Sequence, residues 1–171
     1  KGGLSKATVN TVHVMDAMGK DIIFVESVGS GQGDVDIARV ADTAIVVLTP
    51  GMGDEIQIMK AGILEVADIF AINKADRDGA ENVRDGLELM LEMKAHLPGE
   101  WRPGIVLTEA ISGRGTEELA REVLRHREFL TSSTEMEKRR KERARLELMM
   151  AVESSLINYV ERMDRDYLEK L

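Results

Sequence analysis

The chain has 171 residues, of which 43% are apolar and 32% are charged, and its formal net charge is −8. This composition excludes disordered and fibrous proteins, and the negative charge argues against a general nucleic-acid binder. The absence of cysteine excludes disulfides, thiolate nucleophiles and cysteine-based metal sites. No apolar run approaches the roughly 18 residues of a membrane span, and the sequence opens without a signal peptide. We therefore expect no membrane contact and a cytoplasmic location, or the mitochondrial matrix in a eukaryote.

Strand-like and helix-like segments alternate along the first three quarters of the chain. Short runs rich in Ile or Val are predicted to be buried strands at Ile22–Val25, Ala44–Leu48, Ile69–Ile72 and Ile105–Leu107. Apolar residues at steps of three and four predict helices over Asp54–Val66, Gly86–His96 and Thr116–Leu130. Because crossover helices join parallel strands, we predict an α/β, doubly wound, mostly parallel sheet for residues 1–130.

The rest of the chain, residues 131–171, is predicted to be a helical extension without strands. An apolar stripe steps by three or four residues along one face and consists of Met149, Val152, Leu156, Val160, Met163, Tyr167 and Leu171. The stripe either packs on its own domain or forms a subunit interface. A basic cluster between Lys138 and Arg145 is either a solvated helix face or an anion site.

The first predicted strand ends in Glu26-Ser27-Val28-Gly29, and ligands of open parallel sheets bind beyond such strand ends. An acidic residue there can hold a hydrated Mg²⁺, and a glycine lets its backbone N–H approach a terminal phosphate. The glycines that follow, through Gly33, are typical of a loop that changes conformation with its ligand. An ordinary flexible turn has the same composition.

The third predicted strand ends in Asn73-Lys74-Ala75-Asp76. A carboxylate at the fourth position can accept hydrogen bonds from N1–H and the exocyclic amine of guanine, while the lysine stem covers the base. Adenine presents the wrong donors for such a carboxylate. The alternative is a plain Asn/Asp turn between a strand and a helix.

The fourth predicted strand ends in a glycine-containing loop, Thr108–Gly115, that precedes a helix. In GTPases this loop supplies a backbone N–H to guanine O6. Any α/β protein places glycines in such a loop, so this motif only corroborates the other two. The order and spacing of the three strand ends are those of a GTPase.

Taken together, these segments resemble the ArgK/MeaB branch of P-loop GTPases. The resemblance is carried by Glu26–Gln32, Ala41–Thr43, Thr49–Gln57 and Gly62–Asp68, and it extends from Gly2 to at least Gly115. The helical tail is similar in kind to the dimerisation extension of that family. The resemblance implies a homodimeric chaperone of methylmalonyl-CoA mutase, or of a related cobalamin-dependent mutase, that binds GTP with Mg²⁺ and hydrolyses it to GDP.

The resemblance also implies roles for individual residues. Glu26 is expected at the Mg²⁺ side, through water, and Gly29 at the terminal phosphate. The base is expected at Asn73, Lys74, Asp76, Glu109, Ala110 and Ile111, with the Ala110 N–H donating to guanine. A mobile loop that couples nucleotide state to the mutase is expected at Gly51, Gly53, Asp54, Glu55 and Gln57. Gln32 is the candidate catalytic residue that orients the attacking water, or else a switch contact.

The sequence departs from the family in three places. Ser27 stands where the family usually has Thr, and Glu109-Ala110 stands where it usually has Ser-Ala. No G-x-x-x-x-G-K-[ST] motif occurs, so the backbone cradle and the lysine that hold the phosphates are missing. We therefore expect the sequence to begin within the domain and the isolated chain to be inactive.

Two other functions stay open at this point. One is a non-catalytic dimerisation or mutase-binding module that keeps only the base-recognition half of the site. The other is an ATPase or kinase linked to basic amino-acid transport, against which the guanine-type pattern at Asp76 argues. A metal-delivery GTPase is more remote, because such proteins typically carry Cys or His ligands and this chain has no cysteine.

Overall fold

The computed structural model describes residues 6–27, 38–51, 63–94 and 99–168. The elements in these ranges are α1 (Lys6–Ala17), β1 (Ile45–Leu48), α2 (Ile63–Val66), β2 (Ile69–Asn73), α3 (Ala80–Met93), β3 (Gly104–Thr108), α4 (Thr116–Ser132) and α5 (Glu135–Leu168). None of the described helices is long and apolar enough to cross a membrane. The chain divides into two compact units, one containing Phe24–Met136 and the other containing Ser5–Ile23 and Glu137–Leu171.

The described strands of the first unit form a three-stranded parallel sheet in the order β1-β2-β3. Ile45 lies opposite Ile69, and at the carboxyl edge Asn73 lies opposite Thr108. The parallel ladders and the helices between the strands confirm the predicted α/β fold, with strands where three of the apolar runs predict them. This register brings the residues after β2 and the residues after β3 to the same edge of the sheet.

The hydrophobic core surrounds the central strand β2. Phe70 and Ile72 of β2 are completely buried, and they pack in one cluster with Leu87 and Leu91 of α3. Leu87 and Leu91 are one helical turn apart, so α3 presents a single apolar stripe to the sheet. Burial of each of these side chains stabilises the fold by about 2 kcal/mol. The core therefore fixes the carboxyl end of β2.

Two sequence predictions have a different outcome. The predicted strand Ile22–Val25 is wrong, because these residues form no ladder with the described strands and the Phe24 side chain is 87% exposed. β-propensity produces a strand only where a neighbouring strand completes the hydrogen bonds. Of the helix predicted over Asp54–Val66, only Ile63–Val66 lies within the described residues, and it is helical.

In the second unit, α1 and α5 are linked by His13, whose Nε2 lies 3.1 Å from Glu147 Oε1. The sequence did not predict α1, because its β-branched valines and threonines have low helix propensity. Helix α5 extends from Glu135 to Leu168, within the predicted helical extension. Lys141 pairs with Glu137 one turn earlier at 2.7 Å, which favours the solvated-face interpretation of the basic cluster.

The predicted apolar stripe of α5 is exposed along its described part. The stripe members Met149, Val152, Leu156 and Val160 are 61%, 51%, 60% and 56% exposed, respectively. The side chains of Met163, Tyr167 and Leu171 lie outside the described residues. Within the chain itself, nothing described covers this stripe.

Candidate functional site

The turn after β2 is held in place by backbone hydrogen bonds. Lys74 has φ +59°, the single positive φ among the described residues other than glycine. The next residue, Ala75, donates its N–H to the carbonyl of Thr108 at 3.1 Å, and Arg77 donates to the carbonyl of Lys74 at 3.0 Å. A lysine in the left-handed region is strained by about 1 kcal/mol, so the surrounding bonds must hold it there. The turn is thus fixed to the end of β3.

The turns after β2 and β3 are joined directly by one side chain. Asn73 Oδ1 accepts a hydrogen bond from the backbone N–H of Ala110 at 3.1 Å. The register of β2 and β3 places Asn73 beside Thr108, two residues before Ala110. The structure therefore brings together the two segments that the sequence predicts at the base-binding edge.

The loop after β3 is closed by bonds between its two ends. Glu109 donates its N–H to the carbonyl of Arg114 at 2.9 Å, and Gly113 donates to the carbonyl of Glu109 at 2.9 Å. Gly115 has φ +77°, and a Cβ atom there would lie 2.1 Å from the carbonyl oxygen of Leu107. Since real Cβ atoms do not approach so closely, this position requires glycine for space as well as for conformation.

Several side chains at this edge point away from the core. Lys74, Asp76 and Ala110 are exposed, and Ile111 is completely exposed. Asp76 forms no hydrogen bond or ion pair with any residue in the described part of the chain. A carboxylate acceptor and two apolar surfaces are therefore available on an ordered frame, beside the Ala110 N–H that donates to Asn73 Oδ1. A carboxylate acceptor and an N–H donor are the groups that the edge of a guanine base requires.

The remaining predicted site residues are dispersed or undescribed. Glu26 is exposed in a segment without regular secondary structure, and Gly51 lies in a turn with φ +79°. The predictions for Gly29, Gln32, Gly53, Asp54, Glu55 and Gln57 lie outside the described residues. Among the described residues, no three His, Asp or Glu side chains are grouped as a metal site would need. A single carboxylate such as Glu26 does not define a Mg²⁺ site.

A second polar cluster lies at the opposite, amino-terminal edge of the sheet. Asp68 Oδ2 accepts the backbone N–H of Ala44 at 2.8 Å, and Asp68 Oδ1 lies 3.4 Å from His126 Nε2. The other ring nitrogen of His126, Nδ1, lies 2.9 Å from Thr43 Oγ1, and the Trp101 indole N–H donates to the Asp68 carbonyl at 2.8 Å. His126 is completely buried and Asp68 is 4% exposed. This cluster is closed to ligands.

A third charged group lies on the surface of α3. The Arg84 guanidinium donates to Asp85 at 3.0 Å and pairs with Glu81. The hydrogen bond that Arg84 donates to Asp85 and the neighbouring acidic charges raise the pKa of Arg84 above its usual range. Arg84 therefore keeps its charge at any physiological pH.

Comparison with known proteins identifies the family of this chain. Residues 1–164 match the family described as Methylmalonyl Co-A mutase-associated GTPase MeaB. The chain belongs to the MeaB family. A Pyrococcus abyssi protein named as a GTPase is 44% identical over 162 residues, which are 94% of this chain and 50% of that protein. GTPase ArgK of Escherichia coli is 31% identical over 99% of this chain and 53% of its own length.

Structural comparison leads to the same family. The crystal structure of LAO/AO transport system kinase matches with a TM-score of 0.73 and 26% identity, over 89% of this chain and 49% of that one. The mouse protein named methylmalonic aciduria type A homolog, mitochondrial, is 33% identical over 69% of this chain and 29% of its own length. The chain spans about half the length of the first two relatives and of the crystal structure.

Two contacts in the loop after β3 were not assigned from the sequence. Arg114 and Ser112 both donate to the carboxylate of Glu109, at 2.6 Å and 3.0 Å. The sequence showed only that Glu109 replaces a family serine. An opposite charge five residues later, across a glycine, was the signal that could have identified the Arg114 contact.

Proposed function

We propose that the carboxyl edge of β2 and β3 binds the base of a guanine nucleotide, and that the protein containing this chain is a GTPase. The supporting observation is the Asp76 carboxylate, which is exposed and without a partner among the described residues, next to a turn that Ala75 and Asn73 bond to β3. A surface aspartate on a flexible turn would not select a base. A carboxylate placed beside an ordered turn can do so.

The chemistry of the edge distinguishes guanine from adenine. The Asp76 carboxylate accepts from N1–H and from the exocyclic amine of guanine, whereas adenine N1 carries no hydrogen and would face the carboxylate with a lone pair. The stem of Lys74 and the side chain of Ile111 supply apolar surface for the base faces. The Ala110 N–H donates to Asn73 Oδ1. In the proposed complex guanine O6 takes this N–H, and Glu109 lies beside it.

The phosphate end of the site belongs to the proposal for the whole protein. Gly29 would approach the terminal phosphate, Glu26 would hold Mg²⁺ through water, and Gln32 would orient the attacking water. When bound, Mg²⁺ would neutralise negative charge on the phosphates. The sequence contains no phosphate cradle. We therefore expect the 171-residue chain alone to bind GDP weakly and to hydrolyse no GTP.

The partner and assembly are proposed from the family and from α5. The family name associates these GTPases with methylmalonyl-CoA mutase, and we propose a chaperone role for such an adenosylcobalamin-dependent mutase. The loop with Gly51, Gly53, Asp54, Glu55 and Gln57 would couple nucleotide state to that mutase. The location would be the cytoplasm, or the mitochondrial matrix in a eukaryote.

The exposed stripe of α5 supports a homodimer. In this proposal residues 1–130 are part of the GTPase domain and residues 131–171 are the extension whose apolar face meets a second copy. Light scattering of the native gene product at tens of micromolar should give twice the mass of one subunit. The Leu156→Glu variant should have the mass of a single subunit. A monomeric wild type would exclude this arrangement.

Base recognition is tested by comparing GDP with ADP in Mg²⁺, by isothermal titration of the native gene product. We expect GDP to bind much more tightly, and Asp76→Asn to weaken GDP by about 10- to 100-fold, because two hydrogen bonds to a charged acceptor are altered. Asp78→Asn, an exposed aspartate two residues later, is the matched control and should change little. Equal binding of GDP and ADP would exclude guanine recognition. Absence of binding would favour the non-catalytic module.

A further inference from the structure

Glu109 and Arg114 form an ion pair across the loop that follows β3. Arg114 Nη1 lies 2.6 Å from Glu109 Oε1, and the Ser112 hydroxyl donates to the other carboxylate oxygen, Oε2, at 3.0 Å. The Glu109 side chain is only 16% exposed, whereas that of Arg114 is 73% exposed. The two oxygens of Glu109 are thus each occupied by one donor from the far side of the loop.

The ion pair coincides with a backbone bridge between the same two residues. Glu109 and Arg114 form an isolated antiparallel bridge, with the Glu109 N–H donating to the Arg114 carbonyl at 2.9 Å. The Arg114 N–H in turn lies 3.3 Å from the Ser112 hydroxyl. An exposed ion pair in isolation contributes little, but here it closes a ring of hydrogen bonds that fixes the loop on both sides of Ala110 and Ile111.

The loop so fixed determines where the Ala110 N–H lies. This N–H donates to Asn73 Oδ1, and Asn73 is the last residue of the rigid strand β2. A change in the path of residues 109–114 would therefore move the donor that is proposed to meet guanine O6.

Charge supplies a second role for Arg114. Glu109 precedes Ala110 directly, so we expect its carboxylate near the place where the electronegative O6 atom would bind. An uncompensated carboxylate there would repel O6, and the Arg114 guanidinium neutralises it.

We propose that Glu109 and Arg114 are positioning residues for guanine O6 recognition: their ion pair holds the Ala110 N–H in place and removes a negative charge from beside O6. This inference rests on the proposed function. In this proposal the loop after β3 binds guanine O6, and Asp76 binds the exocyclic amine.

The test compares GDP with IDP, which keeps O6 and lacks the exocyclic amine, by isothermal titration of the native gene product. Arg114→Ala should weaken both nucleotides by the same factor, about 3- to 5-fold, which is the upper range for an exposed ion pair. Asp76→Asn should weaken GDP by a larger factor than IDP, because only GDP carries the amine. Arg114→Lys should retain binding within about 2-fold, since it keeps the charge.

The matched control is Arg125→Ala. Arg125 pairs with Glu122 at the same 2.6 Å, and the exposures of the two side chains are 62% and 13%, but this pair lies on α4 beside Trp101. Its removal should change neither nucleotide affinity. A structural readout is hydrogen exchange of the 171-residue chain without nucleotide, in which Arg114→Ala should speed exchange within residues 109–115 and Arg125→Ala should not.

The possible outcomes separate the two proposals. Unchanged GDP affinity and unchanged exchange in Arg114→Ala would overturn the positioning role while leaving the proposed function intact. A loss confined to GDP, with IDP unaffected, would also overturn it, because the effect would then act through the amine. A wild type that binds neither nucleotide would exclude the proposed function and this inference together.

Discussion

The two edges of the three-stranded sheet both carry polar clusters, but the clusters differ in how their side chains are satisfied. At the amino-terminal edge, Asp68 and His126 are buried and contact each other. Thr43 Oγ1 lies 2.9 Å from His126 Nδ1, and the Ala44 N–H donates to Asp68 Oδ2. At the carboxyl edge the backbone is equally well bonded, yet Asp76 is exposed and has no partner among the described residues. The first cluster is enclosed by the protein, whereas the Asp76 carboxylate of the second faces solvent.

Polarity at a strand end therefore does not by itself locate a binding site. Asp68 directly precedes β2 and Asp76 follows it closely, so both carboxylates lie at the ends of one strand. The two aspartates differ in their burial and in the groups that contact their carboxylates. A buried and paired carboxylate stabilises the fold, whereas an exposed carboxylate on an ordered frame is available to select a ligand. The predictions below test this division.

The largest expected effect is on stability, from His126→Ala at the amino-terminal edge. The substitution leaves a cavity beside Trp101 and removes the contacts that His126 makes with Thr43 and with the buried Asp68. We expect the free energy of unfolding to fall by about 3 kcal/mol. Urea denaturation followed by the fluorescence of Trp101, the single tryptophan of the chain, measures this directly.

The control for this prediction is His13→Ala. His13 is 57% exposed and pairs with Glu147 on the surface of the other unit, so its removal should change the free energy of unfolding by less than about 0.5 kcal/mol. GDP affinity should be the same in His126→Ala as in the wild type under folding conditions. A stability loss below about 1 kcal/mol would show that the buried cluster contributes little to the fold.

An intermediate effect is expected from Gly115→Ala at the end of the loop after β3. Gly115 and Gly113 have nearly equal φ, +77° and +76°, but a Cβ at Gly115 would collide with the Leu107 carbonyl, while a Cβ at Gly113 would meet nothing within 4 Å. The Gly113→Ala variant should therefore lose about 1 kcal/mol of unfolding free energy, because alanine is strained at this φ. The Gly115→Ala variant should lose about 2–3 kcal/mol, because the collision adds to that strain. Equal losses in thermal or urea unfolding would contradict the close approach.

The fold was largely predictable because its strands are short and strongly apolar. The runs at Ala44–Leu48 and Ile69–Ile72 became β1 and β2 because each has a neighbour that completes its ladder. Ile22–Val25 has the same composition, yet it is no strand, since pairing depends on the rest of the fold and not on the segment itself. Helix α1 was not predicted because its β-branched residues have low helix propensity. The helix forms in the structure, where it buries Val9, which is 6% exposed.

The candidate site was predictable in part. The sequence located Asn73 and Asp76 because strand-end motifs have a fixed place in a parallel sheet. It could not show that Asn73 Oδ1 accepts the Ala110 N–H, since the two residues are 37 positions apart and meet only through the register of β2 and β3. His126 was not assigned at all, because a histidine that completes a buried network carries no local sequence signal.

The smallest expected effect, from Lys74→Gly, has opposite signs for stability and for binding. Lys74 has φ +59°, and glycine adopts this conformation without strain, so the free energy of unfolding should rise by about 0.5–1 kcal/mol. The same change removes the stem proposed to cover the base, so GDP affinity should fall by about fivefold.

Lys74→Ala is the matched control, because it removes the same stem and keeps the strain. It should weaken GDP equally without any gain in stability. If Lys74→Gly binds GDP as the wild type does, then the Lys74 side chain does not contact the base. The turn after β2 would then have a structural role only, as the buried cluster at the amino-terminal edge has.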